Sequence, residues 1–157
     1  MKSILCSIAF SLFLFWPSSQ ASAEESWTTE QQQVLASIES LSATTAPDGS
    51  GADAYGAILA NDFNRWTIGS NVINDKQSWV DGVRGWFDEG WRVSHREQSI
   101  LEILVKDEFA FTRRIVEETY LGPDGESSVS KAALAETWVL GDGGWLLYLV
   151  SVAVLDN

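Results

Sequence analysis

Residues 129–140 read Val-Ser-Lys-Ala-Ala-Leu-Ala-Glu-Thr-Trp-Val-Leu, and a Gly141-Asp142-Gly143-Gly144 stretch separates them from Trp145-Leu146-Leu147-Tyr148-Leu149-Val150-Ser151-Val152-Ala153-Val154. Two strand-like runs around a glycine-rich break predict a hairpin. The second run lacks a polar-out alternation, so it is a strand covered on both faces. Upstream, Gly122-Pro123-Asp124-Gly125-Glu126 is a turn, Phe109 to Leu121 a strand, and Lys106-Asp107-Glu108 another turn. Arg92 to Val105 is too long for an ordinary strand, which predicts a bend or a bulge. Together these elements form an antiparallel meander.

The half before Trp91 follows a helical period instead. Val34, Leu35, Ile38 and Leu41 mark one face of a helix over Thr29 to Thr45, which Pro47-Asp48-Gly49-Ser50-Gly51 ends. A shorter helix is expected from about Asp53 to Asn61, then a strand from Phe63 to Ile68 and a turn from Gly69 to Asn74. Asp75 to Glu89 is a third helix, capped by Asn74 or Asp75 and stopped by Gly90, with Trp79, Val80, Val83, Trp86 and Phe87 on one side. Three helices followed by a meander is an α+β pattern. Three helices cover only one sheet face, which makes the other a candidate dimer interface, with a wrap-around by the N-terminal helix as the alternative.

Composition bounds the function. The 157 residues are 45% apolar and 20% charged, which suits one soluble domain rather than a membrane bundle or a disordered tail. Only 10 Lys and Arg stand against 22 Asp and Glu, so a nucleic-acid partner is excluded on charge. Lys2, the apolar run Ile4 to Trp16 and Ala21-Ser22-Ala23 read as a secretory signal peptide. The run is shorter than the ~20 residues of a membrane span, so no stable membrane anchor is expected after cleavage. Cleavage after Ala23 leaves residues 24–157 as the mature domain, in the periplasm or outside the cell. It also removes Cys6, the one cysteine, so thiol chemistry and cysteine metal sites are excluded.

The order of elements resembles the nuclear transport factor 2-like superfamily, in particular its SnoaL-like branch and related families of unknown function. The resemblance rests on Ala60-Asn61-Asp62-Phe63 closing the helical pair and on the Gly69 turn before the amphipathic third helix. It rests also on Glu136 to Trp145, where Trp138, Asp142, Gly143 and Trp145 match the hairpin form T-x-W-x-x-x-D-G-x-W. It implies a cone-shaped, strongly curved antiparallel sheet packed on three N-terminal helices around an apolar pocket. It further implies a homodimer through the outer sheet face. Members include isomerases, dehydratases, polyketide cyclases and proteins without chemistry, so the fold does not decide the function.

The residues themselves narrow the chemistry. The ketosteroid-isomerase type of this superfamily places an aspartate base a few residues after Ala60-Asn61-Asp62, where this chain has Arg65, Trp66 and Thr67. A dehydratase of this fold is expected to use two histidines and an aspartate. Here His95 stands alone, as a catalytic acid or base oriented by Glu97, or as a half-exposed strand residue. Arg113 shares parity with Phe109, Phe111, Ile115 and Glu117, so an inward Arg113 holds an anionic ligand or pairs with Glu136. The ligand-binding candidates are Trp66, Trp86, Phe111, Arg113, Glu136 and Trp138, suited to a small aromatic or apolar molecule. No metal or other cofactor is implied.

Overall fold

The computed structural model describes residues 26–155. The expected signal peptide over 1–23 lies outside the described residues. The elements run α1 (Thr29–Ala43), α2 (Gly51–Ala57), β1 (Leu59–Thr67), β2 (Ile73–Asp75), α3 (Lys76–Asp88), β3 (Arg92–Lys106), β4 (Phe109–Leu121), β5 (Ser127–Gly141) and β6 (Gly144–Leu155).

Local chemistry sets the helix ends. Thr28 and Gln31 form a reciprocal capping box, in which the Gln31 amide N–H donates to Thr28 Oγ1 and the Thr28 N–H to Gln31 Oε1. The Gln31 side chain also donates to the Ile103 carbonyl at 2.6 Å, which ties α1 to β3. Asp75 caps α3 by accepting from the Ser78 N–H at 2.8 Å. At the other end the Gly90 N–H reaches the Phe87 carbonyl and the Trp91 N–H reaches that of Trp86. This is a Schellman closure, and Gly90 adopts the φ of +92° that it needs.

One six-stranded sheet has the order β2-β1-β6-β5-β4-β3. The meander β3 to β6 is antiparallel throughout, as its turns predict. β1 returns to pair with β6 in parallel, so the sheet is mixed rather than wholly antiparallel. This pairing also corrects the second helix, which was expected to reach Asn61. The helix ends at Ala57, the Leu147 N–H donates to the Ile58 carbonyl at 2.9 Å, and Leu59 already faces Leu147 in the ladder. Ala60 to Phe63 therefore lie in a strand. The expected turn before α3 holds the short strand β2, which pairs with Asn64, Arg65 and Trp66.

α1 packs against β3 and β6 on the inner side of the sheet. Val34 and Ile38 are fully buried there, with Leu59, Phe63, Ile103 and Trp138 at 2% exposure or less. Register shifts interrupt β3 between Val93 and His95 and between Ile100 and Glu102. These are the bulges its length predicts, and each one inverts the inside-outside alternation beyond it.

Candidate functional site

The inner face of the sheet, the C-terminal end of α1, and helices α2 and α3 enclose a cavity of about 520 Å³. Its apolar wall includes Leu41, Val83, Trp86, Val116, Leu134 and Leu147. Val154 belongs to the same wall yet is 65% exposed, which marks the opening.

Across this apolar surface runs a polar row set by strand register. Arg65 of β1 lies beside Val150 of β6, Val150 beside Glu136 of β5, and Glu136 beside Thr112 of β4. Glu136 is 1% exposed and accepts from Thr112 Oγ1 at 2.7 Å and from Arg114 Nη2 at 2.8 Å. Arg114 Nε lies 3.2 Å from both carboxylate oxygens, and its Nη1 donates to Gln98 Oε1 at 2.8 Å. The Trp138 indole N–H donates in turn to Thr112 Oγ1. Every member of this buried network is satisfied, which is the condition for keeping an ion pair there.

Nearer the opening, Arg96 is held by the Glu118 carboxylate at 2.6 Å, the Ser42 carbonyl and Thr45 Oγ1. Tyr120 donates to the other Glu118 oxygen. Burial, and then the Glu118 charge, push the Tyr120 hydroxyl far above the ordinary tyrosine range. Under α3 the Tyr55 hydroxyl accepts from the Trp79 N–H at 3.1 Å, and the Arg65 guanidinium stacks 4.1 Å from the Trp79 ring centroid. Burial raises the Tyr55 pKa and lowers that of Arg65. Three of the chain's six arginines thus line one cavity of a protein with net charge −12.

Of the residues singled out from sequence, Trp86 and Glu136 line this cavity. Trp138 is in the core with no exposed surface, and Trp66 is 37% exposed with its N–H on the Ser70 carbonyl. Arg113 corrects the expected facing. It points outward, pairs with Glu102 at 2.8 Å and stacks on Phe111, while its neighbour Arg114 takes the inward place on Glu136. His95 also faces outward, 3.3 Å from Glu97, because the bulge after Val93 separates it from that inward-facing residue. Arg65, Arg96, Arg114, Tyr55 and Trp79 were not among the sequence candidates. Alternation along β4 contained the signal for Arg114, since it shares parity with Ala110, Thr112 and Val116. Among the described residues no group of His, Cys, Asp and Glu is placed to hold a metal ion. Nor is any helix there long and apolar enough to cross a membrane.

Neither a protein-family model nor a curated protein matches the sequence. Solved structures do match in shape. A ketosteroid isomerase-like protein from Erwinia carotovora aligns with TM-score 0.65 and 15% identity, over 83% of this chain and 100% of its own. A nuclear transport factor 2-like protein from Cytophaga hutchinsonii gives 0.65 and 12%, over 82% and 100%. A protein carrying the name of a calcium/calmodulin-dependent kinase II association domain, from Exiguobacterium sibiricum, gives 0.62 and 19%, over 81% and 92%. At these identities the likeness is one of fold. The chain has the nuclear transport factor 2-like, cystatin-like α+β fold, which the resemblance of its sequence implies.

Proposed function

We propose that this chain is a small-molecule-binding domain that takes an apolar or aromatic compound into the cavity between sheet and helices. The observation that carries this reading is the cavity itself. About 520 Å³ lies within the usual range for ligand sites, and Trp79, Trp86, Val83 and Leu147 offer it an apolar wall. A reading as an isomerase or dehydratase acting through His95 draws no support from the geometry. His95 is on the outer face, and both Glu136 oxygens are committed to Arg114 and Thr112. A thermal-shift series with aromatic and polyketide-like compounds tests the proposal. A bound compound at a hundred times its Kd adds about 2.7 kcal/mol to stability. The gain disappears in Ala132→Phe, whose ring is placed in the cavity wall beside Val154 and occupies its space. Absence of stabilisation by every compound overturns the reading.

A homodimer through the outer sheet face is the second reading. Ile115, Ala133 and Ala153 pair across β4, β5 and β6 on that face, Ala135 and Leu149 lie on it as well, and all are partly exposed. The Exiguobacterium protein's name, an association domain, fits assembly through this fold. Sedimentation of a dimer that Ala135→Glu dissociates supports it, and a monomer at high concentration removes it. We infer as well that the chain is exported and loses residues 1–23. Intact mass of the protein from the periplasmic fraction or culture medium, starting at Glu24, supports this, and a cytoplasmic chain retaining Met1 refutes it.

A further inference from the structure

The arginines in the cavity wall are not equivalent. Arg114 and Arg96 have carboxylate partners in Glu136 and Glu118, and their remaining donors reach Gln98, Ser42 and Thr45. Arg65 has no carboxylate partner among the described residues. Its one hydrogen bond there runs from Nη1 to Thr67 Oγ1 at 2.7 Å, which leaves most of its five N–H donors uncommitted. Glu136 is not its ion-pair partner: both its oxygens are taken by Thr112 and Arg114, and Val150 stands between the two residues, whose backbones are roughly 9–10 Å apart at ordinary strand spacing.

Tyr55 completes the arrangement. Its hydroxyl oxygen accepts from Trp79, and its own proton finds no acceptor among the described residues. Burial keeps that proton in place at neutral pH, so the hydroxyl is a donor. Arg65 and Tyr55 both rest on the indole of Trp79, one on its face and one at its N–H. Two spare donors, one of them charged, therefore meet at the wall formed by β1, α2 and α3. An acidic protein that leaves a half-buried guanidinium without a counter-ion has built a place for one.

Resting on the binding proposal above, we propose that Arg65 and Tyr55 form an anion subsite, so that the ligand is an amphipathic organic acid. Its carboxylate sits on the Arg65 guanidinium and the Tyr55 hydroxyl. Its apolar body lies along Val150, Val152 and Val154, the inward row of β6 that leads to the opening. Four residues of strand make this row about 13 Å long, which sets the scale of the ligand.

The test compares 1-naphthylacetate with 1-naphthylacetamide, which share shape and differ in charge, by calorimetric titration at low salt and pH 7. The wild-type protein is expected to bind the acid at least about ten-fold more tightly than the amide, the scale of one charge-assisted hydrogen bond. That preference falls to near unity in Arg65→Gln, is partly retained in Arg65→Lys, and persists in Arg113→Gln, whose charge is on the outer face. Equal binding of acid and amide by the wild type overturns the anion subsite and leaves the cavity proposal standing. Retention of the preference in Arg65→Gln, or its loss in Arg113→Gln, also overturns the assignment. Binding of neither compound below 1 mM overturns this inference, while the cavity proposal falls only if the whole compound series gives no stabilisation. The wild-type comparison needs no substitution, so a variant that fails to fold does not protect the inference.

Discussion

Replacing Glu136 with Ala tests whether the buried network is a structural unit. The carboxylate is 1% exposed and takes hydrogen bonds from Thr112 and from Nε and Nη2 of Arg114, whose side chain is 7% exposed. Its removal leaves a guanidinium with only the Gln98 contact, and Thr112 without its acceptor. Breaking a buried ion pair from one side costs about 3–5 kcal/mol. Glu136 and Arg114 both border the cavity, and water entering there re-solvates the stranded charge. That favours the lower end, about 3 kcal/mol. Arg114→Met removes the charge, so the double variant with Glu136→Leu regains most of the loss, to within about 1 kcal/mol of wild type. Urea unfolding followed by tryptophan fluorescence measures all three proteins. A Glu136→Ala cost below about 1 kcal/mol, or a double variant no more stable than the single one, refutes the reasoning.

Gly90→Ala costs about 1–2 kcal/mol by equilibrium unfolding, since its φ is +92° and an added Cβ meets the Pro123 ring at 2.9 Å. His95→Ala changes stability by less than about 0.5 kcal/mol and leaves ligand affinity unchanged, because the side chain is 66% exposed on the face away from the cavity. Tyr55 and Tyr120 both have folded pKa values above the unfolded value near 10. The stability linked to them is fully present below that pH and is lost as pH rises through their folded values. Tyrosinate absorbance in the folded protein should therefore lag behind that of the urea-unfolded chain, with unfolding setting in above pH 10.

Periodicity carried the reading where packing is local. α1 and α3 declare themselves through apolar stripes, α3 also through its cap at Asn74 or Asp75 and its stop at Gly90, and the meander through its glycine-rich turns; the Thr28 cap of α1 emerges only from the structure. β1 was harder, because Tyr55, Ile58 and Leu59 continue a helical stripe. Only the distant β6 supplies the ladder that turns Leu59 to Thr67 into a strand. The facing of β4 was misjudged for one physical reason. On β4 the row Phe109, Phe111 and Ile115 is more apolar than the row Thr112, Arg114 and Glu118, so hydrophobicity assigns it to the inside. In this fold the inside is a cavity with a polar network, and the apolar row belongs to the outer face. Trp86 lies in the cavity wall on the stripe its helix shows, and Glu136 was expected beside Arg113 but pairs with Arg114, whereas Arg65 depends on a register that no local pattern reports.

The strand order has a consequence for how the molecule comes into being. β6 stands in the middle of the sheet, between β1 and β5, yet it is the last of the described strands to leave the ribosome. Until residues 144–155 are available, β1 has only the three-residue β2 beside it, and β5 is an open edge. The growing chain thus carries two separated pieces that its last strand joins. Commitment to the native state is deferred until this strand has been made, and a nonsense mutation before Gly144 removes the centre of the sheet rather than its margin.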